Sequence, residues 1–191
     1  MTARFDQHKN FITPEECAEL NAWVDEGLKK NWLGNGHDSS KKAWTCTTRK
    51  NTRQVTGNFK YTDIVRIVSA RIREFYGVSD CGLIVGHGQD GVVVSCTFPS
   101  GTNNVHYDYP SAEGLATLRC NILTRAADNG GVLHLEGKPR PLEVGELHCY
   151  LASEHRHSVS EVEGNTSRVM WMFGAHVPKE DWDSGLIKSG C

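Results

Sequence analysis

Apolar residues change their period partway along the chain. In two stretches before about residue 80 they recur every three or four positions, the spacing of helices with one buried face; beyond residue 83 they fall in short runs cut by turn residues, the spacing of strands. Thr13-Pro14-Glu15-Glu16 sets a capping residue, a proline in the first turn and a glutamate three positions after the cap. Cys17, Leu20, Trp23 and Val24 follow as an apolar stripe, which predicts a first helix. A second is predicted over residues 62–76, with Ile64, Val65, Val68, Ile72 and Phe75 on one side and Gly77 as its stop. Between them, residues 31–60 are rich in Gly, Asn, Ser, Thr and Lys, and read as a long irregular segment of the kind that forms lids or binding loops. Strands are predicted near 83–86, 92–98, 115–123, 132–135, 147–151, 156–162 and 168–176, with breaks at 88–91, 99–104, 128–131, 137–141 and 163–165. Helices first and strands afterwards give an α+β layout: a helical part over 1–80 flanking a jelly-roll core over 81–178, within one domain spanning 1–191.

Composition narrows the function classes. A chain of 191 residues suits a single domain with a sizeable core, and no repeat of solenoid period occurs. The net charge of −2 argues against a general nucleic-acid binder, although Lys41, Lys42, Arg49, Lys50, Arg53 and Lys60 concentrate positive charge in one region. Seven cysteines without a CxxC, four of them (Cys81, Cys96, Cys120, Cys149) in or beside apolar runs, read as small buried hydrophobes in a reducing compartment. The N-terminus has no apolar leader segment, and no run approaches ~18 apolar residues. The expectation is a cytoplasmic protein without membrane association; the sequence does not set its oligomeric state.

The candidate chemistry lies in the second half. His106 and Asp108 point to the same side if they lie on extended chain, so both can reach one ion. The pair alone is a weak signal in a chain with nine histidines. It gains weight from His157, which follows 49 positions after Asp108 on a later β-run: two histidines and one carboxylate on one face of an iron leave positions open for other ligands. Arg168, eleven positions further on, is flanked by Val169, Met170, Trp171, Met172 and Phe173. It is either a surface strand residue or a buried guanidinium, and a buried guanidinium needs an anion.

On these residues the chain resembles the prolyl 4-hydroxylase-like iron(II)/2-oxoglutarate oxygenases. NFITPEECAELNAWV is similar to the family's N-terminal helix, TFPSGTNNVHYDYP to the strand and turn carrying HxD, ILTRAADNGGVLHL to the strand, acidic turn and Gly-Gly hairpin, and EVGELHCYLASEHRHSVSEVEGNTSRVMWMF to the final stretch. The resemblance spans about residues 10–175 and implies a double-stranded β-helix. It implies iron(II) on His106, Asp108 and His157, 2-oxoglutarate on Arg168, O₂ as oxidant and ascorbate as reductant. The implied reaction is hydroxylation of a prolyl residue, an amino acid or another small molecule, with succinate and CO₂ as co-products. Aspartate at 108 favours hydroxylation over halogenation, since the halogenating relatives carry glycine or alanine there. The chain departs from the pattern at Phe98, where a tyrosine is frequent before HxD, and in LRCNIL, where Asn121 or Ile122 stands for a second tyrosine. Phe98 and Asn121 are therefore the expected co-substrate neighbours, and Arg119, with Arg49 and Arg53, the expected substrate contacts. The second arginine of the alkylated-DNA repair branch would fall at Gly174.

Two rivals remain open on sequence. His155, His157 and Glu161 form HxHxxxE, which resembles a cupin metal motif, and a non-catalytic jelly-roll binding module would need no metal at all. His134 and Glu136 read as structural strand residues, His8 and His37 as solvated, His87 as a loop residue; His148 receives no role.

Overall fold

The computed structural model describes residues 4–30, 34–35, 49–56, 62–78, 91–108 and 114–187. The expected strand at 83–86, Cys81, His37, His87, Lys41, Lys42 and Lys60 lie outside the described residues. The elements are β1 (Asp6–His8), α1 (Pro14–Lys29), β2 (Gly34–Asn35), β3 (Arg49–Thr56), α2 (Asp63–Tyr76), β4 (Val93–His106), β5 (Leu115–Arg125) and β6 (Asn129–Gly130). They continue with β7 (Leu133–Leu135), β8 (Lys138–Arg140), β9 (Leu147–Leu151), β10 (His157–Val159), β11 (Val162–Glu163), β12 (Arg168–Pro178) and α3 (Lys179–Asp183).

Both expected helices form. The Thr13 hydroxyl accepts from the Glu16 amide at 3.2 Å and the Glu16 carboxylate accepts from the Thr13 amide at 2.9 Å, completing the capping box. The same carboxylate receives both ends of the Arg71 guanidinium, at 2.6 and 2.9 Å, which ties α1 to α2. Gly77 ends α2 at φ +63°, a left-handed conformation that only glycine adopts at little cost.

The strands form an antiparallel curled sheet in the order β1-β9-β5-β12-β4-β10-β7-β8, with β3 joined to β4 and β2 to β3, and β11 paired separately with β6. This is the jelly-roll, or double-stranded β-helix, architecture. Strict alternation divides each central strand between two faces. Val94 and Cys96 of β4, Leu118, Cys120 and Ile122 of β5, Leu147, Cys149 and Leu151 of β9, and Val169, Trp171 and Phe173 of β12 join α1 and α2 in the main core. Their neighbours in sequence, such as Thr97, Asn121, His148 and Arg168, face a cavity on the other side. Full burial of each large apolar side chain stabilises by roughly 1.5–3 kcal/mol, so the core face fixes the register and thereby what the cavity face presents.

Three expectations are corrected. Residues 49–56, expected within an irregular lid, form β3, which pairs with β4 from Thr56↔Val93 to Arg49↔Asn103; its polar sequence is held by the backbone ladder and not by an apolar stripe. Residues 99–104 are not a turn between elements but a kink within β4, with Ser100 at φ +62° and the register against β3 shifting between Lys50 and Thr52. A Cβ at Gly101 would stand 2.6–2.8 Å from Thr97, the Phe98 carbonyl and the Asn51 carbonyl, so the kink requires glycine there. The expected strand 156–162 divides into β10 and β11. The kink matters for the site, because β4 pairs with β12 through Val93–Thr97 and then turns so that His106 pairs with His157 of β10.

Candidate active site

His106 ends β4, Asp108 follows two residues later, and His157 begins β10 directly opposite His106. The Asp108 amide donates to the Ala152 carbonyl at 2.9 Å, which pins the chain just beyond the strand. His106 Nδ1 lies 2.8 Å from the Asn104 carbonyl and His157 Nδ1 3.0 Å from the His155 carbonyl. A carbonyl only accepts, so each Nδ1 carries a proton, and in the neutral ring Nε2 then presents a lone pair. Both Nε2 atoms face the same oxygen, Asp108 Oδ1, at 3.8 and 3.7 Å. These separations are too long for hydrogen bonds. They fall within the roughly 3–4.2 Å spanned by two donors that each lie about 2.1 Å from a common ion. One ligand atom from each of the three residues lies within 4.8 Å of the others.

Electrostatics suit a cation at this point. Burial works against the Asp108 carboxylate, but Arg119, His157 and His106 more than offset it and hold its pKa at about 2. Burial lowers His157 to about 4 against the pull of Asp108, so its Nε2 is unprotonated at neutral pH. The donor set, two imidazoles and one carboxylate on one face, is the one used by non-haem iron(II) sites with open positions. The fixed Nδ1–H···O=C bonds are the outer contacts that orient such ligands.

The cavity beside the triad measures about 870 Å³ including its open mouth, and Arg168 lines it with Asn121, His148 and Tyr150. Arg168 is 5% exposed. Burial lowers its pKa to about 10, against Tyr150, and it stays cationic at neutral pH; among the described residues no carboxylate answers it. Glu161 and Glu163, the nearest carboxylates before it in sequence, are both exposed. Burial raises the Tyr150 hydroxyl far above its ordinary range, with Asp108 adding to the rise, while an Asn121 hydrogen bond works the other way. The hydroxyl is therefore a donor at any physiological pH. His148 is fully buried, both its ring nitrogens and Asn121 Oδ1 lack a hydrogen-bond partner among the described residues, and burial with Arg168 nearby lowers His148 to about 3. Several orphaned polar atoms around one buried cation form a lining built for a polar, anionic guest.

Sequence reasoning leaves Tyr150 and His148 without a role. The signal lies in Leu147-His148-Cys149-Tyr150-Leu151, where period two puts the two polar rings on one face. Phe98 does not face the cavity: the cavity side of β4 carries Val93, Ser95 and Thr97, while Phe98 packs against the core. Asn121 does face it; Ile122 belongs to the core. Arg119 faces the cavity, but its Nε donates to Asp108 Oδ2 at 2.7 Å, so it is committed within the site and not free for a substrate carboxylate. Arg53 is absent from the cavity wall and lies over the Phe98 ring at 5.8 Å, on the core side of the sheet. Arg49 pairs with Asn103 across the β3–β4 ladder. The cupin set is not brought together among the described residues, since His155 is directed to Glu136 at 3.8 Å and Glu161 is exposed.

The unpartnered His148 gives a pH signature. Below its ordinary pKa of 6.5 the unfolded chain takes up a proton that the folded His148 refuses until about pH 3. Stability contributed by this group is therefore complete above pH 6.5 and lost progressively as pH falls toward 3. His148→Phe is expected to flatten part of the fall in melting temperature between pH 6.5 and 4. An unchanged pH profile in that variant would show that His148 does not titrate as its burial requires.

No protein-family model and no curated protein sequence matches the chain. Its structure is similar to that of several solved proteins. One is the viral collagen prolyl hydroxylase of Paramecium bursaria Chlorella virus-1 in its 2OG complex, 14% identical over 90% of this chain and 96% of that one, with a TM-score of 0.63. Another is a prolyl hydroxylase from Trichoplax adhaerens in complex with a hypoxia-inducible-factor peptide fragment, 15% identical over 96% and 87%, with a TM-score of 0.68. A third is HygX from Streptomyces hygroscopicus with nickel, 2-oxoglutarate and hygromycin B bound, 8% identical over 93% and 84%, with a TM-score of 0.62. At these identities the likeness establishes a shared fold. No helix among the described residues is long and apolar enough to cross a membrane.

Proposed function

We propose that the chain is an iron(II)- and 2-oxoglutarate-dependent oxygenase that hydroxylates a C–H bond of a prolyl residue, an amino acid or another small molecule. The observation that carries this reading is the pairing of two features in one cavity: a His-Asp-His cluster with both imidazole Nε2 atoms facing one carboxylate oxygen, and a buried arginine with no carboxylate partner among the described residues. Either feature alone would suit proteins of several kinds. Together they match the two ends of a short dicarboxylate that binds a metal at one end.

His106, Asp108 and His157 would hold the ion, leaving its remaining positions to the cavity. When bound, iron(II) supplies the redox chemistry that couples decarboxylation of 2-oxoglutarate to succinate and CO₂ with delivery of one atom of O₂ to a C–H bond. The protein's part is placement. Arg168 receives the distal carboxylate of 2-oxoglutarate with its two-pronged fork, and the Tyr150 hydroxyl and neutral His148 ring add donors at the same end. Met170, Met172, Val93 and Leu133 close the walls with apolar surface and keep bulk water away. The ligands carried by the structural neighbours, a peptide in one and hygromycin B in another, support a substrate from the same broad range. Ascorbate fits as the reductant that keeps the iron ferrous between turnovers.

The test is succinate formation from 2-oxoglutarate with iron(II) and O₂, read across a panel of prolyl peptides, free amino acids and small amines. Slow iron-dependent succinate release is expected without substrate, and a marked stimulation by the matching class. A protein that binds neither divalent metal nor 2-oxoglutarate would instead be a jelly-roll binding module.

A further inference from the structure

The two oxygens of Asp108 have different partners. Oδ1 faces both histidine Nε2 atoms, at 3.8 and 3.7 Å, while Oδ2 accepts from Arg119 Nε at 2.7 Å. Arg119 is itself 6% exposed and stands on the cavity face of β5. Gly174, its β12 neighbour across the ladder, places no side chain beside it. One of its two terminal nitrogens, Nη1, is buried with no hydrogen-bond partner among the described residues.

We propose that Arg119 is a positioning residue for the metal centre. By occupying Oδ2 it restricts Asp108 to one-oxygen ligation, so that a bidentate carboxylate does not fill a position the reaction needs. This inference rests on the metal-site reading above and adds to it a residue that touches neither the ion nor the distal carboxylate. A carboxylate ligand held by a buried guanidinium is fixed in rotation as well as in charge, and losing such an outer contact typically costs 10–100-fold in metal affinity.

Cobalt(II) is a suitable probe, because its visible absorption reports coordination number without turnover. Titration of wild type and Arg119→Met with Co(II), with circular dichroism to check folding, is expected to show affinity falling about 10–100-fold and a changed absorption envelope. Arg168→Ala, which removes a buried cation that does not touch Asp108, should leave Co(II) affinity and spectrum as in wild type. Arg119→Lys, which keeps the charge but loses the fork, is expected to fall between, with at least about a threefold loss. A folded Arg119→Met protein with wild-type Co(II) affinity and spectrum overturns the proposal. Should Arg119→Met not fold, wild-type values in Arg119→Lys overturn it in the same way. A wild-type protein that takes up no Co(II) overturns the metal-site reading itself and this inference with it, an outcome plainly different from loss at Arg119 alone.

Discussion

Alanine at His106, Asp108 or His157 is expected to bring iron-dependent succinate formation down to background, a larger loss than the ~10–100-fold typical of outer contacts, because each residue supplies one of only three protein donors. The three variants should differ in stability. The histidines hold their rings against the carbonyls of Asn104 and His155, and truncating either removes one such bond. Asp108→Ala does more, since it strands the Arg119 guanidinium in a site where both side chains are largely buried. An uncompensated buried charge costs ~3–5 kcal/mol, so this variant should melt well below the other two. Asp108→Asn keeps the shape and one acceptor for Arg119, and should melt higher than Asp108→Ala while remaining inactive. Metal content by elemental analysis and thermal melts check both halves. Full activity in a His157→Ala protein, with loss in His155→Ala, would mean that the ligand set is wrong.

How far the sequence carries can be judged strand by strand. Where one face meets the core and the pattern is strong, register is legible. In β12 the alternation of Val169, Trp171 and Phe173 with Arg168, Met170 and Met172 places the arginine in the cavity once a core is assumed on the other side. The His106–Asp108 spacing and its distant partner His157 are legible for the same reason. Phe98 shows where parity misleads: it directly follows Thr97, and a single-residue slip exchanges the two faces. The kink at Ser100 lies between this segment and His106, so counting back from HxD with a fixed period does not give the face of Phe98. Strand β3 is hidden by its composition, since Arg-Lys-Asn-Thr-Arg-Gln-Val-Thr has no apolar alternation and is strand only because β4 offers it a ladder. The contact between Arg119 and Asp108 cannot be read in advance, because it depends on a sheet curled tightly enough to bring β5 beneath the end of β4. The same curl turns His148 and Tyr150, inconspicuous in an apolar run, into neighbours of Arg168.

That neighbourhood makes Arg168→Ala the sharpest probe of the co-substrate. Charge-assisted hydrogen bonds from a desolvated guanidinium to a carboxylate are worth ~1.5–3 kcal/mol, and leaving the carboxylate unpaired raises the loss toward ~3–5 kcal/mol. At about 1.4 kcal/mol per factor of ten, 2-oxoglutarate binding should weaken by at least ~10-fold. Stability should move the other way or hardly at all, since the wild-type protein buries this cation without a carboxylate among the described residues. This combination separates the two roles open to a buried arginine. One that braces the fold loses melting temperature on truncation and leaves ligand affinity alone; one that awaits an anion loses affinity and keeps its stability. Arg168→Lys should be intermediate in affinity, because the charge remains while the paired donors are lost. Tyr150 and His148 stand at the same end of the cavity, so Tyr150→Phe should show a smaller loss of the same kind, about that of one hydrogen bond, ~0.5–1.5 kcal/mol. Calorimetric titration of metal-loaded wild type and Arg168→Ala reads the difference directly. Equal dissociation constants would remove 2-oxoglutarate from the site and leave the His-Asp-His cluster as a metal centre for other chemistry.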